Sequence, residues 1–245
     1  ISSVMFEFVN QKSILLKYLY MKEWGAFGVY THDYSVVTVR SCFLTRARTD
    51  ANSEAGITNS TFGITAVDSC YIEEPLGTSL VRAISLTMSG FSTRTSLDEA
   101  LIRNTKIYRC YRCIQILSTF IMYIDGCVLR NCREKAMFSN QGYIHAIRNL
   151  INAAVVGMYA THLSLFSIRG GNEVSGCSSH GIEFTSMSSG SADSAVTATT
   201  TQVNNNGGWG VNTTLNSLGV AVSTGLSYTG NTSGTYTNDA TSVNT

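Results

Sequence analysis

Apolar residues recur along this chain in short bursts separated by Ser, Asn, Gly, Asp and Arg, and a sustained helical period is missing. One recurring block is a small residue followed by an apolar one. It reads Gly28-Val29, Gly56-Ile57, Ala83-Ile84, Cys113-Ile114, Ala136-Met137, Gly157-Met158, Gly181-Ile182 and Gly210-Val211. A second block is apolar, then usually Arg or Asp, then small, then small or Cys. It reads Val39-Arg40-Ser41-Cys42, Val67-Asp68-Ser69-Cys70, Ile102-Arg103-Asn104-Thr105 and Ile124-Asp125-Gly126-Cys127, and continues at Ile147, Ile168, Ala192 and, more weakly, Ala221. The blocks stand 11 residues apart in every pair except 83 to 102.

A period of this kind predicts a strand, a turn and another strand per repeat, where no repeat can bury its apolar face alone. The bursts are rich in Val, Ile, Phe, Tyr and Thr, as strands prefer. Ile14–Met21 and Leu97–Ile107 are the two stretches that also pass as short helices. Stacking equivalent residues at about 4.8 Å makes Cys42, Cys70 and Cys127 an internal ladder, and eight repeats a rod on the order of 40 Å long. Met5 and Leu16 repeat the spacing of 11, so residues 1–25 read as an earlier, partial coil of the same stack. Residues 26–230 form its body, and residues 231–245, rich in Gly, Ser, Thr, Asn and Tyr, read as a terminal coil edge or linker.

The spacing, the Cys and Asn at turns, and phrases such as Ser179-His180-Gly181-Ile182-Glu183-Phe184 resemble the right-handed parallel β-helix of the pectate-lyase-like superfamily. The uneven coils and the Gly/Ser/Thr/Asn-rich end look most like a bacteriophage tailspike or tail-fibre helix. The resemblance covers roughly residues 26 to 230 and is one of architecture. It implies an all-β, right-handed parallel β-helix (solenoid) of about eight to nine coils. It further implies a place in the virion tail, outside the cell, beside other tail proteins. Such helices are commonly homotrimers, and Tyr18, Tyr20 and Phe166 are candidate exposed contacts for one.

Composition narrows the function classes. Charge is balanced, with 17 Lys and Arg against 16 Asp and Glu, which excludes a strongly basic nucleic-acid binder. No apolar run reaches the roughly 18 residues of a membrane span, so membrane insertion is not expected. All 17 cations but only 12 of the 16 acids lie at or before Arg169, leaving a mildly acidic, hydroxyl- and amide-rich distal third. Seven Cys is an odd count, and most are expected as free, buried thiols.

Candidate chemistry lies where coils depart from the minimal repeat. Two extra segments, Thr45 to Glu54 and Glu73 to Thr78, leave one corner of adjacent coils. They bring Arg46, Arg48, Asp50, Glu54, Glu73 and Glu74 together. A third, Phe91 to Glu99, leaves another corner and carries Arg94, Asp98 and Glu99. Glycoside hydrolysis needs two carboxylates roughly 5 to 9.5 Å apart, so Glu73, Glu74, Asp50 and Glu54 are the catalytic candidates. A lyase instead needs a base near a uronate carboxylate held by Arg. Arg46, Arg48, Tyr71, Arg94, Asp98 and Glu99 are the substrate-binding candidates.

Other motifs resolve into the repeat. Ser179-His180-Gly181 lacks the companion segments of polygalacturonases. The calcium signature of pectate lyases is missing, and so are calcium repeats and phosphate loops. Cys110-Tyr111-Arg112-Cys113 with Cys127 and Cys132 has the outline of a zinc site, but Cys113 and Cys127 fall on inward repeat positions. No metal or cofactor is expected. The functional expectation is therefore a segment of a virion tail spike or fibre that binds a host bacterial surface polysaccharide, with depolymerisation as an open possibility. The alternatives are a non-enzymatic structural shaft, or a bacterial surface adhesin or secreted carbohydrate-active enzyme.

Overall fold

The computed structural model describes residues 4–11, 13–24, 26–32, 35–45, 55–59, 64–74, 81–86, 99–117, 121–193, 201–220, 226–238 and 243–244. Those residues form 29 strands and no helix. Every third strand joins the same sheet, giving two sheets of 10 strands and one of 9, all paired in parallel. Sheet I begins with β1 (Val4–Val9) and β4 (Phe27–His32), sheet II with β2 (Ile14–Lys17) and β5 (Val36–Arg40), and sheet III with β3 (Tyr20–Lys22) and β6 (Phe43–Thr45). The chain is a parallel β-helix slightly longer than the eight to nine coils expected. Strands β1 to β3 make a full first coil, and β28 (Gly234–Asn238) and β29 (Val243–Asn244) extend sheets I and II at the far end.

The two stretches that pass as helices are strands. Ile14–Met21 contains β2 and most of β3, and residues 99–107 contribute β11 (Glu99–Arg103) and most of β12 (Lys106–Tyr108). Their apolar residues alternate at period two once a corner is inserted between the strands. That corner is one residue of positive φ, Tyr18 (58°) in the first coil and Asn104 (50°) in the later one. A left-handed residue turns the chain sharply from sheet II into sheet III, and Ser41, Ser69, Gly126 and Arg148 occupy the same corner in other coils.

The repeat blocks correspond to two columns of the structure. Gly28, Gly56, Ala83, Cys113, Ala136 and Gly157 occupy the position that the pairing of sheet I skips, between Phe27↔Ala55 and Val29↔Ile57 in the first such pair. Two consecutive residues are buried there, as at a bulge, so the first must be small. A Cβ on Gly28 would meet Leu44 of sheet III at 3.3 Å. In sheet II the column runs Val39, Val67, Ile102, Ile124, Ala146 and Ile168. The block read at Ile147 is therefore displaced by one. Ile147 pairs with Asp125, and Ala146 takes the inward place because Arg148 holds the left-handed corner.

After the sheet II–III corner comes an inward column of Cys42, Cys70, Thr105, Cys127, Asn149 and Asn172, all buried. The expected ladder exists, with Thr105 interposed between Cys70 and Cys127. Toward the far end it becomes an amide ladder. Asn149 N–H and Nδ2 each donate to Asn172 Oδ1 at 3.0 Å, and Asn149 Oδ1 accepts from Cys127 N–H at 3.0 Å. The corner after sheet III repeats this design with Cys110, Cys132, Ala154, Cys177 and Asn206. There Asn206 Nδ2 donates to Asn231 Oδ1 at 2.9 Å.

Five cysteines are free and buried, whereas Cys113 and Cys132 form a disulfide. The bond arises because the small column of sheet I faces the column after sheet III. The equivalent pair two coils on is Gly157 and Cys177, where a Cβ on Gly157 would lie 3.3 Å from Cys177 Sγ. At residues 113 and 132 both facing columns carry Cys, so one coil is closed on itself. The zinc outline is thereby excluded: two of its four sulfurs are bonded to each other, and burial pushes the Cys110 and Cys127 thiols up to about 12. Phe166, expected as an exposed contact, is instead a core residue at 0% exposure, edge-on to Phe184. Tyr18 and Tyr20 are exposed.

Candidate functional site

The corner between sheets II and III of the early coils forms a groove of about 350 Å³ across three coils. Ser41, Ser69 and Asn104, the left-handed corner residues, place hydroxyls and an amide along it, and Phe43, Tyr71 and Lys106 form one wall. Phe43 and Tyr71 are consecutive partners in sheet III, and their rings stack at 4.5 Å. Tyr20 extends the stack beyond Phe43 at 5.3 Å, and Tyr108 extends it beyond Tyr71 at 5.3 Å. Ring faces are used against one another, so the groove receives ring edges.

One residue before each of these corner residues runs a charge ladder. Arg40, Asp68 and Arg103 are partners on β5, β8 (Ile64–Asp68) and β11, and Asp68 lies 3.3 Å from both guanidinium Nε atoms. Alternation of sign avoids the repulsion of like charges at one strand spacing. Burial would raise the Asp68 carboxyl. Hydrogen bonds from Ser69, Asn104 and Arg103, with the Arg103 charge, overcome it and hold the group below its ordinary value.

Three of the predicted site residues are described here with their side chains. Tyr71 lines the groove and donates its hydroxyl to Glu73 Oε2 at 2.9 Å, while Glu73 Oε1 accepts from Arg109 at 2.5 Å. Burial, followed by the Glu73 contact, pushes the Tyr71 hydroxyl up to about 12, so it remains a donor. Glu74 is buried at 1% exposure, next to Cys110. Strand β9 (Tyr71–Glu73) pairs with β6 so that Thr45 opposes Glu73, and both early insertions begin at that edge of sheet III. Glu99 opens β11 in sheet II, with its backbone alone described. Arg46, Arg48, Asp50, Glu54, Arg94 and Asp98 lie outside the described residues.

A second constellation, not picked out from the sequence, covers the outer face of sheet I in the middle coils. Glu134 receives a hydrogen bond from Lys135 Nζ at 2.6 Å and another from Arg112 Nε. Burial works to raise Glu134, but these two cations outweigh it and keep it below the ordinary carboxylate value. Glu183 goes the other way: burial raises it, only partly offset by Lys135 and by Asn212, which donates at 3.4 Å. Tyr159 lies between them, its hydroxyl pushed up by burial and then by Glu183. Its ring sits 4.5 Å under Lys135 Nζ. One detectable signal was present, since Phe138, Tyr159 and Glu183 are successive partners on an outward column.

His180 Nδ1 accepts from Trp209 N–H at 3.1 Å, a turn position as the repeat implies. Trp24 is buried.

No protein-family model matches the chain, and no curated protein does. Among solved structures the chain is similar to tailspike protein 3 of bacteriophage CBA120, at 11% identity and a TM-score of 0.43. The alignment covers 100% of this chain and 49% of that one, so the chain spans about half the length of that structure.

Proposed function

We propose that this chain is a segment of a virion tail spike or fibre, acting in the tail as a homotrimer, whose β-helix holds an extended bacterial surface polysaccharide against its outer face. The observation that carries the reading is the groove at the sheet II–III corner. It is open along the axis over three coils and offers hydroxyls, an amide and a cation beside ring edges. Polyhydroxylated chains are recognised by such mixed polar and aromatic surfaces, and weak contacts repeated along a polymer and over several subunits add up.

The test is binding of the full chain to a panel of capsular and O-antigen polysaccharides, with Tyr71→Ala and Lys106→Gln as variants. Lys106 is exposed, so its replacement leaves folding intact. Each variant is expected to weaken the preferred polymer about tenfold, or ~1.4 kcal/mol. Unchanged affinity in both, with melting temperatures preserved, overturns the assignment of the groove.

A depolymerising activity is the second reading, favoured by the opposite protonation tendencies of Glu134 and Glu183. Glu134 and Glu183 both act on Tyr159, which stands on the strand between theirs, and carboxyls whose environments shift them in opposite directions are how acid and base roles are divided. The corner carboxylates Glu73, Glu74, Asp50 and Glu54 are the rival set, with Arg46, Arg48, Arg94, Asp98 and Glu99 as polymer contacts. Reducing-end release from the bound polymer separates the two. Loss in Glu183→Gln alone points to sheet I, loss in Glu73→Gln to the corner, and intact polymer from the wild-type chain excludes cleavage.

A further inference from the structure

The corner between sheets I and II changes character in the distal coils. It joins β19 (Val156–Thr161) to β20 (Leu165–Arg169), β22 (Ile182–Phe184) to β23 (Ser189–Asp193), and β25 (Trp209–Thr213) to β26 (Leu218–Val220). Each of these turns holds two consecutive left-handed residues: His162 and Leu163, Ser186 and Met187, Leu215 and Asn216, with φ between 52° and 64°. Asn and Gly take this backbone readily, whereas a bulky apolar residue takes it at a cost. Here the bulky residues are also on the surface, Leu163 at 67% exposure, Met187 at 58% and Leu215 at 57%. Backbone strain spent on displaying large apolar groups points to a gain made outside the folded monomer.

The corner is held firmly from beneath. Ser164 N–H donates to Ser188 Oγ at 3.3 Å, and Ser188 N–H to Ser217 Oγ at 3.2 Å. Leu163 N–H donates to Ser186 C=O at 3.2 Å and Met187 N–H to Leu215 C=O at 2.9 Å, so the three apolar side chains form a ridge that climbs one coil at a time. The ridge runs on into sheet II, where Leu165 pairs with Tyr143 and Tyr143 with Ile121.

Shape, period and charge say what covers such a ridge. A convex edge gives no concavity to a small ligand. A partner has to present apolar groups at the same rung interval of about 4.8 Å, and a second copy standing parallel does so coil for coil. Parallel copies about a shared axis bring each ridge residue against itself, so any charge there would meet its like. Residues 161–165, 185–189 and 213–218 contain no Lys, Arg, Asp or Glu. The sheet II–III corner fits this demand poorly, because Arg40, Arg103 and Arg148 are 53%, 49% and 61% exposed and would each face themselves.

We propose that copies of this chain associate in parallel through the distal sheet I–II corner, with Leu163 and Met187 each packing against the same residue of the neighbouring copies and Leu215 beside them. The inference rests on the homotrimer of the reading above and adds the face and the register. It leaves the Tyr71 groove, on another corner, open to a polymer.

Sedimentation velocity with light scattering, on the full chain up to its solubility limit, tests it. The wild type is expected at the mass of three chains. Met187→Glu and Met187→Lys are each expected to raise the concentration of half-association at least about tenfold, since like charges then meet on the axis. An equimolar mixture of the two is expected to regain most of that loss, which only contact of residue 187 with itself allows. Leu163→Asn suits the left-handed backbone, so it is expected to weaken association without lowering the melting temperature of the dissociated chain. Exposed Gln202→Glu, on sheet III of the distal coils, is expected to change nothing. A wild-type chain that stays monomeric overturns the proposal, and so do Met187 variants that associate normally. Association lost in both and not regained on mixing overturns the like-on-like register. If monomers bind glycan through the Tyr71 groove, this inference alone falls. If the ridge assembles the chain and no glycan binds, the glycan reading falls and this one stands.

Discussion

Replacing Asn172 by Ala should be among the most damaging single changes in the helix. Its Oδ1 is the acceptor for both the Asn149 backbone N–H and one Asn149 Nδ2 hydrogen, each at 3.0 Å in a buried column. Removing it strands two donors where water does not reach. The Asn149 amide keeps its other bond, to Ile124 C=O at 2.9 Å. Arg169 C=O also stays satisfied, because Thr201 donates to it at 3.2 Å. Two stranded donors at about 1–3 kcal/mol each give a destabilisation of roughly 2–6 kcal/mol. Asn149→Ala strands one donor, the Cys127 N–H that its Oδ1 accepts. The double variant strands two rather than three, so the pair should be less than additive by about 1–3 kcal/mol. Urea unfolding followed by far-UV circular dichroism, approached from both directions, measures all three. Exposed Gln202→Ala serves as the control, at under ~0.5 kcal/mol. A loss below about 1 kcal/mol in Asn172→Ala, or strict additivity, would refute the ladder as a source of stability.

Two further outcomes follow from the same geometry. The Cys113–Cys132 bond closes a loop with a sequence separation of 19, so reducing it, or Cys132→Ala, should cost about 3 kcal/mol by the loop-entropy model. The urea midpoint with and without reductant reads this, and identical midpoints would contradict it. Asp68 has a folded pKa below its ordinary value of 3.8, so its contribution is present above that value and fades as pH falls through the folded pKa. Asp68→Asn should therefore be less stable than wild type near neutrality and should converge with it in strong acid. A gap that persists unchanged into acid would show that the ion pairs are not its origin.

The fold was legible because burial inside a stack imposes the same demand at every coil. The skipped pairing position of sheet I accepts only Gly, Ala or Cys in these coils, and the left-handed corner favours Ser, Asn or Gly, so both columns leave a spaced signature. The signature slipped at Ile147 because Arg148 occupies the corner without resembling its usual occupants. Phe166 reads as an exposed contact only in the absence of the register, which pairs it with Ile144 on the inward side. The disulfide required knowing that residue 113 of one column faces residue 132 of another, which no linear spacing states. Tyr71 and Glu73 could be singled out because they flank an insertion. The ridge of Leu163, Met187 and Leu215 could not, because an exposed corner imposes no common residue type from coil to coil. Only the bonds between coils bring those three side chains together.

The shift from thiols to amides along the inner columns also decides where related chains could exchange pieces. Sulfur contacts are non-directional, so a junction between the coils of Cys42 and Cys70 asks only for a neighbour of similar bulk. Amides demand a mate of matching orientation in the next coil, and a seam cut between Asn149 and Asn172, or between Asn206 and Asn231, breaks that demand on both sides. Natural or engineered chimaeras should therefore cross over in the proximal half and inherit the distal half as one block.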